Sequence, residues 1–135
     1  MTRSGEIALA DLSQALREDT TLVTLMLANN EIGTIHPVAE IATLAHSVGA
    51  RVHTDAVQAV GWVHVNFVEL GVDALSISGH KIGAPKGSGA LLVRAGLPFE
   101  PLIHGGGQEH ELRSGTENVA WAVALATALE HVVSI

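Results

Sequence analysis

The sequence predicts an α/β layered domain built on a parallel sheet, and three observations carry that prediction. Apolar runs of strand length alternate with segments of helical periodicity. The 135-residue chain is 47% hydrophobic and only 16% charged, below the roughly 25% charge of an ordinary soluble domain. Strands buried on both faces read as such continuous apolar runs. Finally, polar residues capable of chemistry stand just after three of the runs, where α/β sheets gather their ligands.

The elements follow in order. Residues 12–17 carry Leu12 and Leu16 four apart and predict a short helix. Residues 21–27, Thr-Leu-Val-Thr-Leu-Met-Leu, predict a buried strand that ends at the polar loop Ala28-Asn29-Asn30-Glu31. Pro37 suits a first helical position; Val38, Ile41, Leu44 or Ala45, and Val48 follow at helical spacing, and Gly49 closes the helix. Residues 51–54 form a short strand ending at Asp55, and residues 66–70 a short helix closed by Gly71. Two further strands are predicted over residues 74–78 and 89–93. A glycine-rich loop then spans residues 99–108. Ser114 and Glu117 have capping-box spacing ahead of an alanine-rich helix over about residues 116–132. Four or five strands this apolar need helices on both faces, more than the pattern supplies. The chain therefore reads as part of a larger domain.

Composition excludes several functions. Net charge is −7 with no basic cluster, so nucleic acid is not an expected partner. No uncharged apolar run reaches the roughly 20 residues of a spanning helix, so no membrane association is expected. The first six residues lack an apolar segment of signal type, and a cytoplasmic location is expected. Cysteine is absent, which removes disulfides and any cysteine nucleophile within these residues. The eight histidines include no H-x-x-x-H pair, and no metal site is expected. Residues 83–89 are not a phosphate loop of G-x-x-x-x-G-K-[ST] type, because Lys86 precedes its glycine.

The candidate site comes from three strand ends. Asn29-Asn30 follow the first strand, Asp55 and Gln58 the second, and Ser78, His80 and Lys81 the third. Each has a plainer reading: a turn pair for the asparagines, a helix cap for Asp55, a solvated surface residue for Lys81. Together they make coherent chemistry. A lysine amine forms an imine with an aldehyde cofactor. A carboxylate beside a pyridine nitrogen favours its protonated form. The 26 residues from Asp55 to Lys81 leave room for one helix and one strand, so the two can sit on neighbouring strands.

These segments resemble class V aminotransferase-like pyridoxal phosphate enzymes, specifically cysteine desulfurases and selenocysteine lyases. The matching stretches are Met26-Leu27-Ala28-Asn29-Asn30-Glu31-Ile32-Gly33, His53-Thr54-Asp55-Ala56-Val57-Gln58-Ala59-Val60-Gly61, and Ser78-Gly79-His80-Lys81-Ile82-Gly83-Ala84-Pro85-Lys86-Gly87. Gly105-Gly106-Gly107-Gln108-Glu109 and Arg113-Ser114-Gly115-Thr116-Glu117-Asn118 complete them.

The resemblance implies a partial three-layer αβα domain of fold type I with a mostly parallel sheet. Residues 1–135 would be the central and later part of its large domain, with the N-terminal part and the small C-terminal domain absent. It implies pyridoxal 5'-phosphate as cofactor and Lys81 as its covalent anchor and proton carrier. Asp55 would sit at the pyridine nitrogen, Gln58 and Asn30 on the phenolic-oxygen side, and Ser78 and His80 at the phosphate. Thr116 would reach the phosphate of a partner subunit in a homodimer, its place at a helix start suiting anion binding.

It further implies L-cysteine as substrate, converted to L-alanine with sulfur passing to an enzyme persulfide, for iron–sulfur cluster or thiolation pathways and with a sulfur-acceptor protein. In the family, the persulfide cysteine and the arginine for the substrate carboxylate lie downstream of these motifs. A truncated form lacking that cysteine is thus expected. A non-catalytic fragment or dimerisation module, and a selenocysteine lyase or other class V lyase or transaminase, remain as alternatives.

Overall fold

The computed structural model describes residues 2–3 and 5–133. Its elements are α1 (Leu9–Ala15), β1 (Leu22–Met26), α2 (Val38–Ser47), β2 (Arg51–Asp55) and α3 (Phe67–Leu70). β3 (Ala74–Ser78), a single 3-10 turn (Gly79–Lys81), β4 (Gly89–Val93) and α4 (Val119–Val133) follow. The four strands form one sheet in the order β1-β2-β3-β4. β1, β2 and β3 run parallel, and β4 returns antiparallel to β3, so the sheet is mostly parallel.

Local chemistry explains where the helices stop and start. α2 buries Val38, Ile41, Ala42 and Ala45 along one stripe. Its end is a double closure: Gly49 N–H donates to His46 O and Ala50 N–H to Ala45 O, with Gly49 at a left-handed φ of 83°. Pro37 stands one residue before the helix rather than in its first turn. α3 is capped by Asn66, whose Oδ1 accepts from the N–H groups of Val68 and Glu69 at 2.9 and 3.2 Å.

Two helices depart from the expected bounds. α1 begins at Leu9 and ends at Ala15, because Leu16 turns to an extended backbone. α4 begins at Val119, not near Thr116. Asn118 caps it through a 3.2 Å bond from Trp121 N–H, while Ser114 is buried and accepts from Gly107 N–H within the preceding loop.

The core lies on one face of the sheet. Val52, Leu75 and Leu27 pack there with Val38, Ala42 and Ala45 of α2. Within the described residues the other face of the sheet is more open. Burial alternates in β2, with Val52 and Thr54 inside and Arg51, His53 and Asp55 more open. In β2 the opposite face thus carries His53 and Asp55, and β1 and β4 add Met26 and Leu91 to that face.

At the amino-terminal edge of the sheet, buried Asp73 joins four elements. Its Oδ2 accepts from Val52 N–H and from His46 Nε2, each at 2.8 Å. Its Oδ1 faces Arg51 Nη1 at 3.7 Å and Arg94 Nε at 3.5 Å. Burial pushes the Asp73 carboxyl up. The His46 and Val52 hydrogen bonds and the charges of His46 and Arg51 outweigh that and hold it below the usual carboxylate value.

Asp73→Ala is expected to cost about 3 kcal/mol, as removing one partner of a buried ionic group does, measured by denaturant unfolding at neutral pH. The depressed carboxyl contributes fully above its unfolded value of about 4 and loses that contribution as pH falls through the lower folded value. Asp73→Asn should therefore shallow the acid limb of the stability profile. An acid limb of unchanged depth would exclude Asp73 as a contributor.

Candidate functional site

Parallel pairing brings three strand ends to one edge. Met26, Asp55 and Ser76 are level in the register, and Ser78 stands two residues farther along β3. Leu27 N–H continues the ladder to Asp55 O at 2.8 Å, and Ala56 N–H to Ser76 O at 2.9 Å. The three loops that follow therefore leave the same side of the sheet.

After β1 the chain makes a small closed loop. Ala28 bridges Ile35, and Asn29 N–H donates to Thr34 O. Asn29 Oδ1 accepts from Glu31 and Ile32 N–H at 2.9 and 3.1 Å. Asn29 is thus consumed by the turn, whereas exposed Asn30 has a side chain free of hydrogen bonds among the described residues.

After β2, Asp55 Oδ1 accepts Val57 N–H at 2.8 Å, which orients the carboxylate. Its other oxygen has no partner among the described residues. The turn role and a ligand role therefore fit the same side chain. Gln58 follows in that turn, half-buried.

After β3, residues Gly79–Lys81 make the 3-10 turn. Ser78 Oγ and His80 Nδ1 lie 2.8 Å apart, a hydroxyl and an imidazole side by side. Gly79 N–H donates to Ser88 O at 2.9 Å, and Gly79 O accepts from Ile82 and Ala84 N–H at 3.0 and 2.9 Å. This closes the loop from 79 to 88 tightly. Lys81 is exposed, and its amine has no partner among the described residues.

β2 and β3 are neighbours, so Asp55 and Lys81 leave adjacent strands at one edge, with Asn30, Gln58, Ser78 and His80 on the loops beside them. Thr116 is different. It is exposed, three residues ahead of α4, and no hydrogen bond links it to the strand ends. The helix-start argument for it does not hold, because Asn118 occupies the cap.

The donor set fits an anionic aldehyde cofactor with a pyridine ring: a free amine, a carboxylate with one oxygen open, and a hydroxyl–imidazole pair. Among the described residues no three His, Cys, Asp or Glu side chains are grouped as a metal site would need. No helix is long and apolar enough to cross a membrane.

Two features escaped the sequence reading. His53, on the Asp55 face of β2, is held between Thr24 and Ser76; the alternation of polar residues in β2 and β3 was the available signal. The loop ahead of Thr116 also holds three successive non-glycine residues at positive φ: Glu109 at 50°, His110 at 57° and Glu111 at 66°. Each carries the steric cost of a Cβ in the left-handed region.

Comparison with known proteins places these motifs. The "Aminotransferase class-V" family profile matches residues 1–135. Cysteine desulfurase IscS of Dictyoglomus turgidum is 53% identical over 128 residues, covering 95% of this chain and 32% of that protein. The IscS-like cysteine desulfurase of Mycobacterium tuberculosis is 47% identical over 131 residues, covering 96% and 33% respectively. The chain thus spans about a third of the length of these curated relatives. Among solved structures, a NifS-like protein superposes with a TM-score of 0.94 at 45% identity, covering 97% of this chain and 36% of that one. SspA in complex with cysteine superposes at 0.90 with 42% identity, covering 95% and 38%.

Two substitutions test the local geometry. A Cβ on Gly79 would collide with Ser88 Oγ and stand 3.0 Å from Ala84 Cβ. Gly79→Ala is therefore expected to destabilise by about 1–3 kcal/mol through overpacking, seen as a lower melting temperature. Glu111→Gly is expected to raise stability by about 1 kcal/mol by removing a left-handed Cβ penalty; an unchanged or lower midpoint would contradict that.

Proposed function

Because the chain belongs to the aminotransferase class-V family, we propose that it forms the pyridoxal phosphate-holding part of a cysteine desulfurase. The observation that carries this reading is the pairing of Lys81 and Asp55 at adjacent parallel strand ends, with Ser78 and His80 at the same edge. In this reading residues 1–135 are the central and later part of the large cofactor domain.

Each residue has a role that follows from its chemistry. The Lys81 amine, free of ion pairs among the described residues, would hold the cofactor and would serve as the group that takes and returns a proton at Nζ. The open oxygen of Asp55 would partner the pyridine nitrogen and favour its protonated form by opposite charge. Asn30 and Gln58 would orient the ring from the phenolic-oxygen side. The Ser78 hydroxyl and the His80 imidazole would bind the phosphate, and Thr116 would reach the phosphate of a partner subunit in a homodimer. Bound pyridoxal phosphate supplies an electron-withdrawing ring that stabilises negative charge on the substrate.

The reaction proposed is L-cysteine to L-alanine, with sulfur passing to a thiol and on to an acceptor protein in the cytoplasm. These 135 residues contain no cysteine, so the accepting thiol lies outside them. The cysteine bound in the SspA complex and the names of the IscS relatives support L-cysteine over selenocysteine.

The purified chain, mixed with pyridoxal phosphate, is expected to show a visible absorption band. Borohydride reduction should then leave the cofactor mass on the peptide that contains Lys81. Lys81→Ala should remove both signals. An adduct that persists in that variant would assign the anchor to another residue and overturn the reading.

A further inference from the structure

A polar row crosses the sheet directly behind Asp55. His53 Nδ1 lies 2.7 Å from Thr24 Oγ1 on β1, and its Nε2 lies 3.2 Å from Ser76 Oγ on β3. Both ring nitrogens are engaged, and the two hydroxyls, each donor and acceptor, satisfy either tautomer. His53 precedes Asp55 by two residues in β2 and so shares its face. Thr24 is the register partner of His53, while Ser76 is the register partner of Asp55. The ring therefore reaches from the level of residue 53 to the level of the carboxylate. Ala74, the β3 partner of His53, has only a methyl to place beneath it.

We propose that His53 is a positioning residue for Asp55. The Thr24 and Ser76 hydroxyls fix the imidazole, and the imidazole fixes the spacing of β1 and β3 about β2 at the row behind the carboxylate. This inference rests on the cofactor reading above. A carboxylate that meets a ring nitrogen must be held to within about half an ångström by the groups that support it. Asp55 has one such support of its own, the Val57 N–H, and that bond orients the carboxylate without setting where β2 sits between its neighbours. The Thr24–His53–Ser76 row ties all three strands at that position.

His53→Phe keeps an aromatic ring and removes both hydrogen bonds. The pair Thr24→Val with Ser76→Ala keeps His53 and removes its partners. Each is expected to weaken pyridoxal phosphate binding on the order of tenfold, the scale seen when an outer hydrogen-bonding partner of a ligating group is lost, and to shift the maximum of the absorption band. The borohydride adduct on Lys81 should persist in both. Wild-type affinity and band position in a variant whose circular dichroism shows it folded would overturn the proposal. So would an effect confined to the melting temperature. If His53→Phe does not fold, the hydroxyl pair decides on the same criteria. A wild-type chain that gives no Lys81 adduct would defeat the cofactor reading itself, which separates the two failures.

Discussion

The arrangement depends on the position of β3, and Asp73 sets it. Its backbone N–H donates to Val52 O, its carboxylate accepts Val52 N–H, and its own carbonyl accepts Arg94 N–H, each at 2.8 Å. One residue thus ties β2 on one side and β4 on the other. The Arg94 guanidinium adds bonds to Gly71 and Val72 carbonyls at 3.0 and 2.8 Å. A buried carboxylate is tolerable only with partners of this kind, and here its partners come from α2, β2 and Arg94, the residue that follows β4. Once the amino-terminal edge is pinned, the opposite ends of the strands have fixed heights. That is what puts Asp55 level with Ser76, while the β1–β2 ladder sets Met26 beside it.

The two edges of the sheet therefore divide the work. The Asp73 edge holds charge that is neutralised and largely spent on structure. The other edge holds polar groups left open among the described residues: a lysine without a partner, a carboxylate with one free oxygen, a hydroxyl against an imidazole. Their loops are nonetheless tightly built. Asn29 and Asp55 each spend a side-chain oxygen on the backbone that follows, and Gly79 lets the Ser88 segment approach where any Cβ would intrude. Rigid backbone with unspent side-chain valence is what a preformed ligand site requires.

Much of this was legible in the residues. β3 and β4 fall where their apolar runs do, and α2 and α3 end at the glycines that a left-handed closure requires. The strand-end cluster followed from residue type and position. What was not legible depends on partners far away in sequence. Asp73 meets His46, 27 residues earlier, and reads locally as a single acid between Val72 and Ala74. The antiparallel direction of β4 leaves no mark on a five-residue pattern. The Ser114–Glu117 spacing matched a helix start, but the burial of Ser114 in the glycine loop outweighed it, and Asn118 took the cap.

The low charge content pointed to strands buried on both faces; in β2, apolar and polar residues share the strand by alternation. Val52 and Thr54 face α2 and the core, while His53 and Asp55 face the other way. A slip of β2 by one residue would exchange those faces. It would turn Asp55 into the packing under α2, where an unpaired carboxylate is costly, and present Thr54 to the site in its place. Register is thus enforced from both sides at once: by the core that excludes Asp55, and by Thr24 and Ser76, which accommodate His53 only in the observed alignment. The same alternation that builds the hydrophobic core therefore delivers the carboxylate to the edge where Lys81 stands.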